Sequence, residues 1–270
     1  TYFFKPEGAF VKNHPITNHE NGIKNIAFLF EGFESIEIDG GGSDFMFSGE
    51  MLPFLFDKSE KIRLTNLSID WTVPFFIQGK VLAVDQSRGT YDLQMFNKGF
   101  DFKVESNKLK FPLSYGFTYS SIGESLVFDY KTKSPVYGAG NLDIHRKQED
   151  VFVEKLPSGM LRIKEKLKVY PPVGSVITFK GPNGENRYAP AIHAIRSSDI
   201  IIEFVNVYHA LGMGFLGERS ADIRLSKFNV MLRPGTDRML SATADATHFC
   251  NCRGTVIMED CLFENMLDDG

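Results

Sequence analysis

The chain has 270 residues, a formal net charge of −4 and a pI near 5.9, so it can form one large domain or two ordinary ones. Lys and Arg are scattered, without a basic stripe interleaved with aromatic residues, which argues against a nucleic-acid partner. No membrane span or signal peptide is visible.

The first predicted elements are short strands separated by turns. Phe is frequent, with 25 residues against one Trp, and Phe side chains stack well in layered β interiors. Alternation over Ile36 and Ile38 ends in Gly40-Gly41-Gly42, which predicts a strand followed by a tight corner. A phosphate-binding loop is disfavoured because no Lys-Ser/Thr pair and no helix follow the glycines.

One spacing of apolar residues, i, i+2, i+5 and i+7, occurs four times. The copies begin at Ile62, Ile200, Ile223 and Val256. The side of the strand that is apolar switches between the second and third positions, which a corner between two short strands can satisfy and a flat strand cannot. The intervals Ile36 to Ile62 and Ile200 to Ile223 are 26 and 23 residues, typical of a three-sided parallel β-helix.

A longer interval of 33 residues separates Ile223 from Val256. We expect the excess of about ten residues between Arg233 and Asn251 to form a loop on one face of the solenoid, where binding and catalytic residues tend to lie. Asp245 is expected in this loop.

The repeat is lost for 138 residues between Ile62 and Ile200, which indicates an insertion. Antiparallel strands with short turns favour an inserted β-barrel or sandwich. The predicted strands are Gly79–Val84 and Thr90–Met95, which form a hairpin, and Ser125–Phe128, Met160–Lys164 and Gly174–Phe179. The whole chain is predicted to be all-β, with coils at 1–76, the insert at 77–187, and coils carrying the active site at 188–270.

Three aspartates are the main candidates for chemistry. Asp245 precedes Asp268 by 23 residues, one coil interval, and adjacent coils stack about 4.8 Å apart. Carboxylates about 6.5–9.5 Å apart leave room for a water between an acid and a base, as inverting glycoside hydrolysis needs. Asp268 and Asp269 reach one pocket only if the backbone bends, which Gly270 could supply. The alternative is an ordinary Asp-Asp-Gly turn and an ordinary loop residue.

The three cysteines lie between positions 250 and 261. Cys250, Cys252 and Cys261 lack a CxxC spacing, so a zinc site is not expected, and we interpret them as small buried side chains. A disulfide that uses Cys261 stays open if the protein is exported.

The sequence resembles family 110 of the glycoside hydrolases, which are exo-acting α-1,3-galactosidases and include enzymes that remove the blood-group-B galactose. The segments that carry the resemblance are Ala244–Gly254, Cys261–Gly270, Tyr2–Gly8, Ile36–Gly42, Asn66–Trp71 and His209–Phe215. The resemblance implies a right-handed parallel β-helix of pectate-lyase-like type with inserted β-barrel material. It also implies metal-independent hydrolysis with inversion and without a cofactor.

The resemblance places the catalytic aspartates of the family on Asp245, Asp268 and Asp269, an arrangement similar to that of polygalacturonases. By that analogy Asp268 is the general acid, while Asp245 and Asp269 deprotonate the attacking water. The family continues into further coils where this sequence stops at Gly270, so we expect a truncated chain. The family also implies export to a bacterial periplasm or beyond, with terminal α-galactosides of blood group B or linear type as substrates. A homodimer is compatible with the sequence.

Four further polar residues are expected to bind substrate near the aspartates: Arg187, His209, Glu218 and His248. Each has a structural alternative, an ion pair or hydrogen bond, and for His248 an ordering role in its loop. Two other functions stay open. A polysaccharide lyase would need calcium ligands and a Lys or Arg base, and a non-catalytic carbohydrate-binding β-helix would share the scaffold without the reaction.

Overall fold

A computed structural model describes residues 1–139 and 150–270, and the regular secondary structure of this part of the chain is almost wholly β-strand. The first strands are β1 (Tyr2–Phe4), β2 (Phe10–Asn13), β3 (Ile23–Glu31), β4 (Ile36–Phe47), β5 (Leu52–Asp57) and β6 (Glu60–Trp71). Next come β7 (Ile77–Asp85), β8 (Thr90–Met95), β9 (Lys103–Glu105), β10 (Lys108–Lys110), β11 (Ser125–Phe128), β12 (Phe152–Lys155), β13 (Leu161–Lys164) and β14 (Val176–Phe179). The last are β15 (Ile192–Ile195), β16 (Ser198–Val207), β17 (Phe215–Glu218), β18 (Ala221–Ser226), β19 (Asn229–Val230), β20 (Thr247–Cys250), β21 (Arg253–Glu259) and β22 (Leu262–Phe263).

The chain divides into two compact units. The first comprises residues 1–72, 187–236 and 240–270, and the second comprises residues 73–186 and 237–239. The described helical segments are single 3₁₀ turns at Pro6–Gly8 and Ser114–Gly116. Among the described residues, none forms a helix with the length and hydropathy of a membrane span.

The first unit is a stack of parallel coils. One sheet has the order β1-β4-β6-β16-β18-β21, continued by β19 and β22, and the other has the order β2-β3-β5-β15-β17-β20. Only β2 runs antiparallel to its neighbour in these two sheets. Successive strands place Ile36, Ile62, Ile200, Ile223 and Val256 level with one another. This register is the one that the apolar repeat predicts, and the predicted β-helix is confirmed.

The predicted corners occur at residues with left-handed backbone. Asn66, Phe204, Lys227 and Asp260 each lie four residues after the start of a repeat, with φ of 57°, 54°, 49° and 53°. A single left-handed residue bends the strand, so the apolar side chains before and after it both point inward. Each coil therefore has three faces, two from the first sheet and one from the second.

The triple glycine forms a corner of the same kind, which confirms that expectation. Gly41 and Gly42 have φ of 56° and 75°. A Cβ on Gly40 would lie 2.5 Å from the Cβ of Leu67 in the next coil, so that position excludes any larger residue.

Aromatic rings fill the interior in layers. The rings of Phe28 and Phe54 stack with centroids 4.8 Å apart, and those of Phe30 and Phe56 stack at 5.3 Å. The parallel register produces this stacking because it places like residues of successive coils directly above one another. The high Phe content is explained by these layers.

The long coil interval has its extra residues earlier than expected. Val207 pairs with Val230, and Ala210 bridges to Ala242, so the excess lies between Val230 and Ala242. Asp245 follows this excursion and lies in the stack, where Gly214 N donates to its backbone oxygen at 3.0 Å. The expectation that Asp245 belongs to the loop is therefore wrong, because the apolar repeat marks only the ends of the interval.

The second unit contains an antiparallel sheet of order β11-β14-β7-β8-β13-β12 and a short β9–β10 pair. The predicted hairpin is confirmed as β7 and β8, and the three other predicted strands match β11, β13 and β14. Gln78 holds the segment Asp237–Met239, which belongs to this unit although it is distant in the sequence. Its Nε2 donates to Asp237 O at 2.6 Å, and its Oε1 accepts from Met239 N at 3.0 Å.

Candidate active site

Three side chains from distant parts of the chain meet at the edge of the second sheet of the β-helix, where the strands of that sheet begin. Arg187 precedes β15 and contacts Asp268 through its Nη2 and the carboxylate Oδ2. Its Nη1 lies 4.0 Å from Oδ1 of Asp245, which precedes β20. One guanidinium therefore bridges two of the three predicted aspartates.

The backbone places the Asp-Asp-Gly segment beside Asp245 in the neighbouring coil. Ala246 N donates to Asp269 O at 2.9 Å, and Thr247 N donates to Gly270 O at 3.1 Å. The hydroxyl of Thr247 adds a second bond to Gly270 O, at 2.9 Å. The interval of one coil in the sequence thus brings the segments together in space. The side chain of Asp269 is exposed and has no hydrogen bond or ion pair to any described residue.

His248 holds the carboxylate of Asp245 from the other side. Its Nδ1 lies 2.9 Å from Oδ2 of Asp245, and because a carboxylate only accepts, the ring donates from this nitrogen. Asp245 is only 5% exposed, so its two oxygens are fixed between the imidazole and the guanidinium of Arg187. His248 is half-buried, as expected for a residue that orders the carboxylate from the edge of the site.

His209 lies in the interior, away from solvent. It is fully buried, its Nδ1 donates to Ser241 O at 2.7 Å, and its ring meets the edge of Trp71 at 5.8 Å. Trp71 is equally buried. The structure therefore places His209 in a packing position that a sugar does not reach in this conformation.

Glu218 lies at the other end of β17 from the aspartates. The register sets Phe215 level with Thr247 and Glu218 level with Cys250, so Glu218 is about five strand positions beyond the level of Asp245, on the order of 16 Å. There it lines a cavity of about 490 Å³ with His14 and Arg196. Glu218 does not join the aspartate cluster.

The segment that crosses the second sheet, residues 14–22, we call the strap. One end of it is attached to Glu218: Thr17 N donates to Oε2 of Glu218 at 3.4 Å, and His193 Nε2 lies 3.5 Å from the same oxygen. His14 Nε2 lies 3.0 Å from His193 Nδ1, so one ring donates to the other. The contact with His193 lowers the pKa of Glu218 to about 2, and burial lowers the pKa of His14 to about 4.

The other end of the strap touches the candidate site. Glu20 N donates to Arg187 O at 2.8 Å. His19 Nε2 accepts from Met213 N at 3.2 Å, and its Nδ1 donates to Thr17 O at 2.9 Å, so the ring is neutral with its proton on Nδ1. Burial lowers the pKa of His19 to about 3. A Cβ on Gly212 would lie 2.4 Å from His19 Nε2, so the adjoining turn closely fits this ring.

Sequence reasoning did not identify the strap. Its contacts join residues 14–20 to residues 187–218, and no periodicity or motif connects these segments. The one local signal is Gly212, whose φ of 146° and close approach to His19 mark a position that needs glycine.

The cysteines continue a structural ladder at the opposite corner of the coils. Ser59 N donates to Ser197 Oγ and Ser197 N donates to Ser220 Oγ, both at 3.1 Å. Cys252 lies at the next step, where its thiol donates to Gly217 O at 3.3 Å and burial raises its pKa. All three cysteines are free thiols, and each is half-buried.

Comparisons with known proteins find named relatives of this chain. Residues 77–177 match the family described as GLAA-B beta-barrel domain I. The chain is 36% identical over 255 residues to alpha-1,3-galactosidase A of Shewanella woodyi, covering 94% of the chain and 41% of the relative. It is 32% identical over 271 residues to alpha-1,3-galactosidase B of Phocaeicola vulgatus, covering 99% of the chain and 43% of the relative. Alpha-1,3-galactosidase B of Akkermansia muciniphila is 28% identical over 272 residues.

The similarity extends over nearly the whole chain, and the predicted resemblance to a family of α-1,3-galactosidases is confirmed. The chain spans less than half the length of these curated relatives.

Proposed function

We propose that this chain carries the catalytic centre of a glycoside hydrolase that releases terminal α-1,3-linked galactose from an oligosaccharide. The observation that carries the proposal is the bridge that Arg187 makes between Asp245 and Asp268, in a chain whose relatives are named alpha-1,3-galactosidases. Clustered carboxylates at the edge of a solenoid are what acid and base catalysis of glycoside cleavage requires.

In the proposed reaction, the bound sugar separates Asp268 from Arg187, Asp268 takes up a proton from solvent, and it gives this proton to the glycosidic oxygen as the bond from that oxygen to the anomeric carbon breaks. A water attacks the opposite face of the same carbon, and Asp245, aided by Asp269, accepts the proton of that water. His248 holds Asp245 in position through its 2.9 Å hydrogen bond, so the base is oriented before the substrate arrives.

Inversion at the anomeric carbon is part of the proposal. Both carboxylates reach one guanidinium, so their nearest oxygens lie within about 9 Å of each other, a limit compatible with the ~6.5–9.5 Å separation of inverting enzymes. An inverting enzyme would release β-galactose first from an α-linked substrate, which proton NMR of the anomeric signals detects within the first minutes.

A polysaccharide lyase is the alternative that uses the same scaffold. It would need a neutral Lys or Arg side chain as its base, and among the described residues Arg187 is the one that contacts the aspartates. A guanidinium stays protonated at neutral pH, and here it contacts a carboxylate, which makes it a poor base. The structure therefore favours the hydrolase.

The test is galactose release from galactosyl-α-1,3-galactose in the presence of EDTA. We expect release by the wild-type protein and a loss of about 10³-fold or more in Asp268→Asn, because that variant cannot donate the proton. An aryl α-galactoside with a good leaving group needs little acid help, so Asp268→Asn should lose far less activity on it. Sugar binding by the variant should stay measurable by NMR titration.

Asp199→Asn is the matched control, because Asp199 is exposed at a left-handed corner of the same β-helix. It should retain wild-type rates on both substrates. Undiminished galactose release by Asp268→Asn would remove Asp268 from the mechanism. If Asp269→Asn is the variant that loses activity on the disaccharide but keeps it on the aryl α-galactoside, Asp269 is the general acid. If an unsaturated product forms instead, and only when metal is present, the protein is a lyase and the hydrolase proposal is wrong.

We also propose a substrate type and a location. Blood-group-B or linear α-galactosyl glycans would be the substrates, and the protein would act in a bacterial periplasm or outside the cell. Comparing release from the branched, fucosylated trisaccharide with release from the linear disaccharide decides between the two substrate types.

A further inference from the structure

Two adjacent residues of the strap, His19 and Glu20, are bonded to the backbone beside the aspartates. Glu20 N donates to Arg187 O at 2.8 Å, and His19 Nε2 accepts from Met213 N at 3.2 Å. Arg187 is the residue whose guanidinium bridges the two carboxylates, and Met213 belongs to the coil that follows it. The end of the strap therefore holds two successive coils at the candidate site.

The register places Met213 directly before the coil of Asp245. Phe215 pairs with Thr247, so Met213 and Asp245 are level in neighbouring coils. Gly214 N donates to Asp245 O at 3.0 Å, which joins the residue after Met213 to the backbone of the proposed base. A displacement of Met213 therefore reaches Asp245 through one hydrogen bond.

The strap takes the place of a neighbouring coil at Arg187. Ile192 pairs with Phe215, so the residue equivalent to Arg187 in the next coil is Ala210. The carbonyl of Ala210 accepts from Thr243 N of the following coil at 3.1 Å, whereas the carbonyl of Arg187 accepts from the strap. The strap thus supplies, at the residue that bridges the aspartates, the bond that stacking supplies one coil later.

The strap is held firmly at this end. His19 N donates to Ile16 O at 3.2 Å, which closes a turn, and Ile16 is 3% exposed. The ring of His19 donates from Nδ1 to Thr17 O and faces Gly212, where a Cβ would lie 2.4 Å from Nε2. A turn with a buried side chain and a closely fitted ring presents its bonding groups in fixed directions.

We propose that His19 and Glu20 are positioning residues for Arg187. Their bonds fix the backbone from which the long arginine side chain extends, so the guanidinium lies between the two carboxylates before the substrate arrives. A displacement of about 1 Å in such a support costs on the order of 100-fold in rate, because the acid and the base leave their working positions. This inference rests on the proposed function, which assigns Asp245 and Asp268 to the reaction.

The test compares a variant of His19 that loses the bond with one that keeps it. His19→Leu removes the acceptor for Met213 N, whereas the amide of His19→Gln can accept from Met213 N and donate to Thr17 O. On galactosyl-α-1,3-galactose we expect kcat of His19→Leu to fall roughly 10- to 100-fold, with KM within about threefold of the wild type. His19→Gln should keep kcat within about threefold of the wild type.

Glu20 gives an independent comparison, because its contact is made by the backbone. Glu20→Pro removes the N–H that donates to Arg187 O, and Glu20→Ala removes only the exposed carboxylate. We expect kcat to fall in Glu20→Pro as in His19→Leu and to stay within about twofold in Glu20→Ala. Equal losses in the two Glu20 variants would assign the effect to the carboxylate and contradict the proposal.

His14→Leu is the matched control for loosening of the strap. It removes the 3.0 Å bond to His193 at the other end, near Glu218. Both leucine variants lose a strap bond, and their melting temperatures report the loosening, but kcat should fall only in His19→Leu. Equal losses of kcat in the two variants would show that the strap acts through stability alone and would overturn the proposal. Wild-type kcat in His19→Leu would overturn it as well.

The NMR signal of the Arg187 Nε–H group separates this inference from the proposed function. Loss of the signal in Arg187→Lys assigns it, and its chemical shift reports the surroundings of the guanidinium. If the wild type releases galactose from no α-galactoside, the hydrolase proposal fails, and this signal then decides the positioning role alone. A change of the signal in His19→Leu that is absent in His19→Gln and His14→Leu supports the role, and an unchanged signal in His19→Leu overturns it.

Discussion

At the scale of single residues, Arg187 determines the arrangement of the candidate site. It separates two acidic groups from neighbouring coils, and one of them, Asp245, is almost completely buried. Two carboxylates at such close range repel each other unless a cation lies between them. The planar guanidinium is suited to this position because it presents N–H groups on separate nitrogens in a fixed plane, whereas all the donors of an ammonium leave one nitrogen.

We therefore predict that Arg187→Lys lowers kcat/KM for α-1,3-linked galactosides by about 100-fold, although the charge is kept. All the donors of a lysine ammonium leave one nitrogen, so either the two carboxylates move closer to share it or one of them loses its partner, and the spacing of acid and base changes. Arg219→Lys is the control, since the Arg219 side chain is 60% exposed beside Glu218, away from the aspartates. Steady-state kinetics of the three proteins decide the matter, and wild-type values for Arg187→Lys would contradict the bridging role.

The sequence predicts some of these residues for a physical reason and others only by chemical type. Asp245 and Asp268 are one coil apart, and stacking converts that interval into proximity. Arg187, His209 and Glu218 are all polar residues near strand ends, yet only Arg187 reaches the aspartates. Which way such a side chain points depends on packing against the strap and the interior, and no local pattern encodes that.

At the scale of elements, the strap connects the candidate site to the far end of the sheet. It covers a row of outward-facing residues that includes His193, which is completely buried beneath it. Both strap histidines, His14 and His19, have a lowered pKa, about 4 and about 3, because burial opposes their charged form. Neither ring can be protonated without loss of a hydrogen bond or of burial.

The strap therefore predicts loss of stability in acid. A histidine whose pKa is lowered on folding contributes stability that is complete above its unfolded pKa of about 6.5 and is lost as the pH falls towards the folded value. For His19 the window runs from about pH 6.5 to about 3, and the expected slope is about 1.4 kcal/mol per pH unit inside it. Urea unfolding at pH 7, 5.5 and 4 measures this slope.

His19→Gln provides the comparison for that slope. The glutamine amide can accept from Met213 N and donate to Thr17 O as the imidazole does, but it does not titrate. Its free energy of unfolding should depend less steeply on pH than that of the wild type. Parallel slopes for the two proteins would show that His19 is not held neutral by the fold.

Elements differ in how far the sequence predicts them. The i, i+2, i+5, i+7 repeat predicts both the stacking and the position of the corner, because the left-handed residue always falls between the second and third apolar side chains. The strap has no repeat, and its conformation depends on partners more than 150 residues away, so the sequence indicates only turns there.

At the scale of the whole molecule, the chain leaves the β-helix after β6 and returns in register at β15. The interval from Ile62 to Ile192 is 130 residues, whereas the equivalent interval in the next coil, from Ile200 to Phe215, is 15. The excess equals the length of residues 73–187. In the next coil the equivalents of Thr72 and Tyr188 are Ala210 and Leu211, which are neighbours in the chain.

We accordingly predict that deletion of residues 73–187, which joins Thr72 to Tyr188, leaves a β-helix that still folds. The joined coil has the same number of residues as the next one, so every apolar side chain keeps its inward face. The segment Asp237–Met239, which belongs to the second unit, loses its two bonds to Gln78, and we expect the conformation of this segment to change. Far-UV circular dichroism and a cooperative thermal transition report the fold.

Deletion of residues 73–188 is the matched control, because it joins the same segments with one residue fewer. The missing residue reverses the side-chain alternation between the junction and β15, so this deletion should lower the melting temperature or abolish the transition. If both deletions melt alike, or the first shows no transition, the β-helix depends on the insert for more than continuity of the chain.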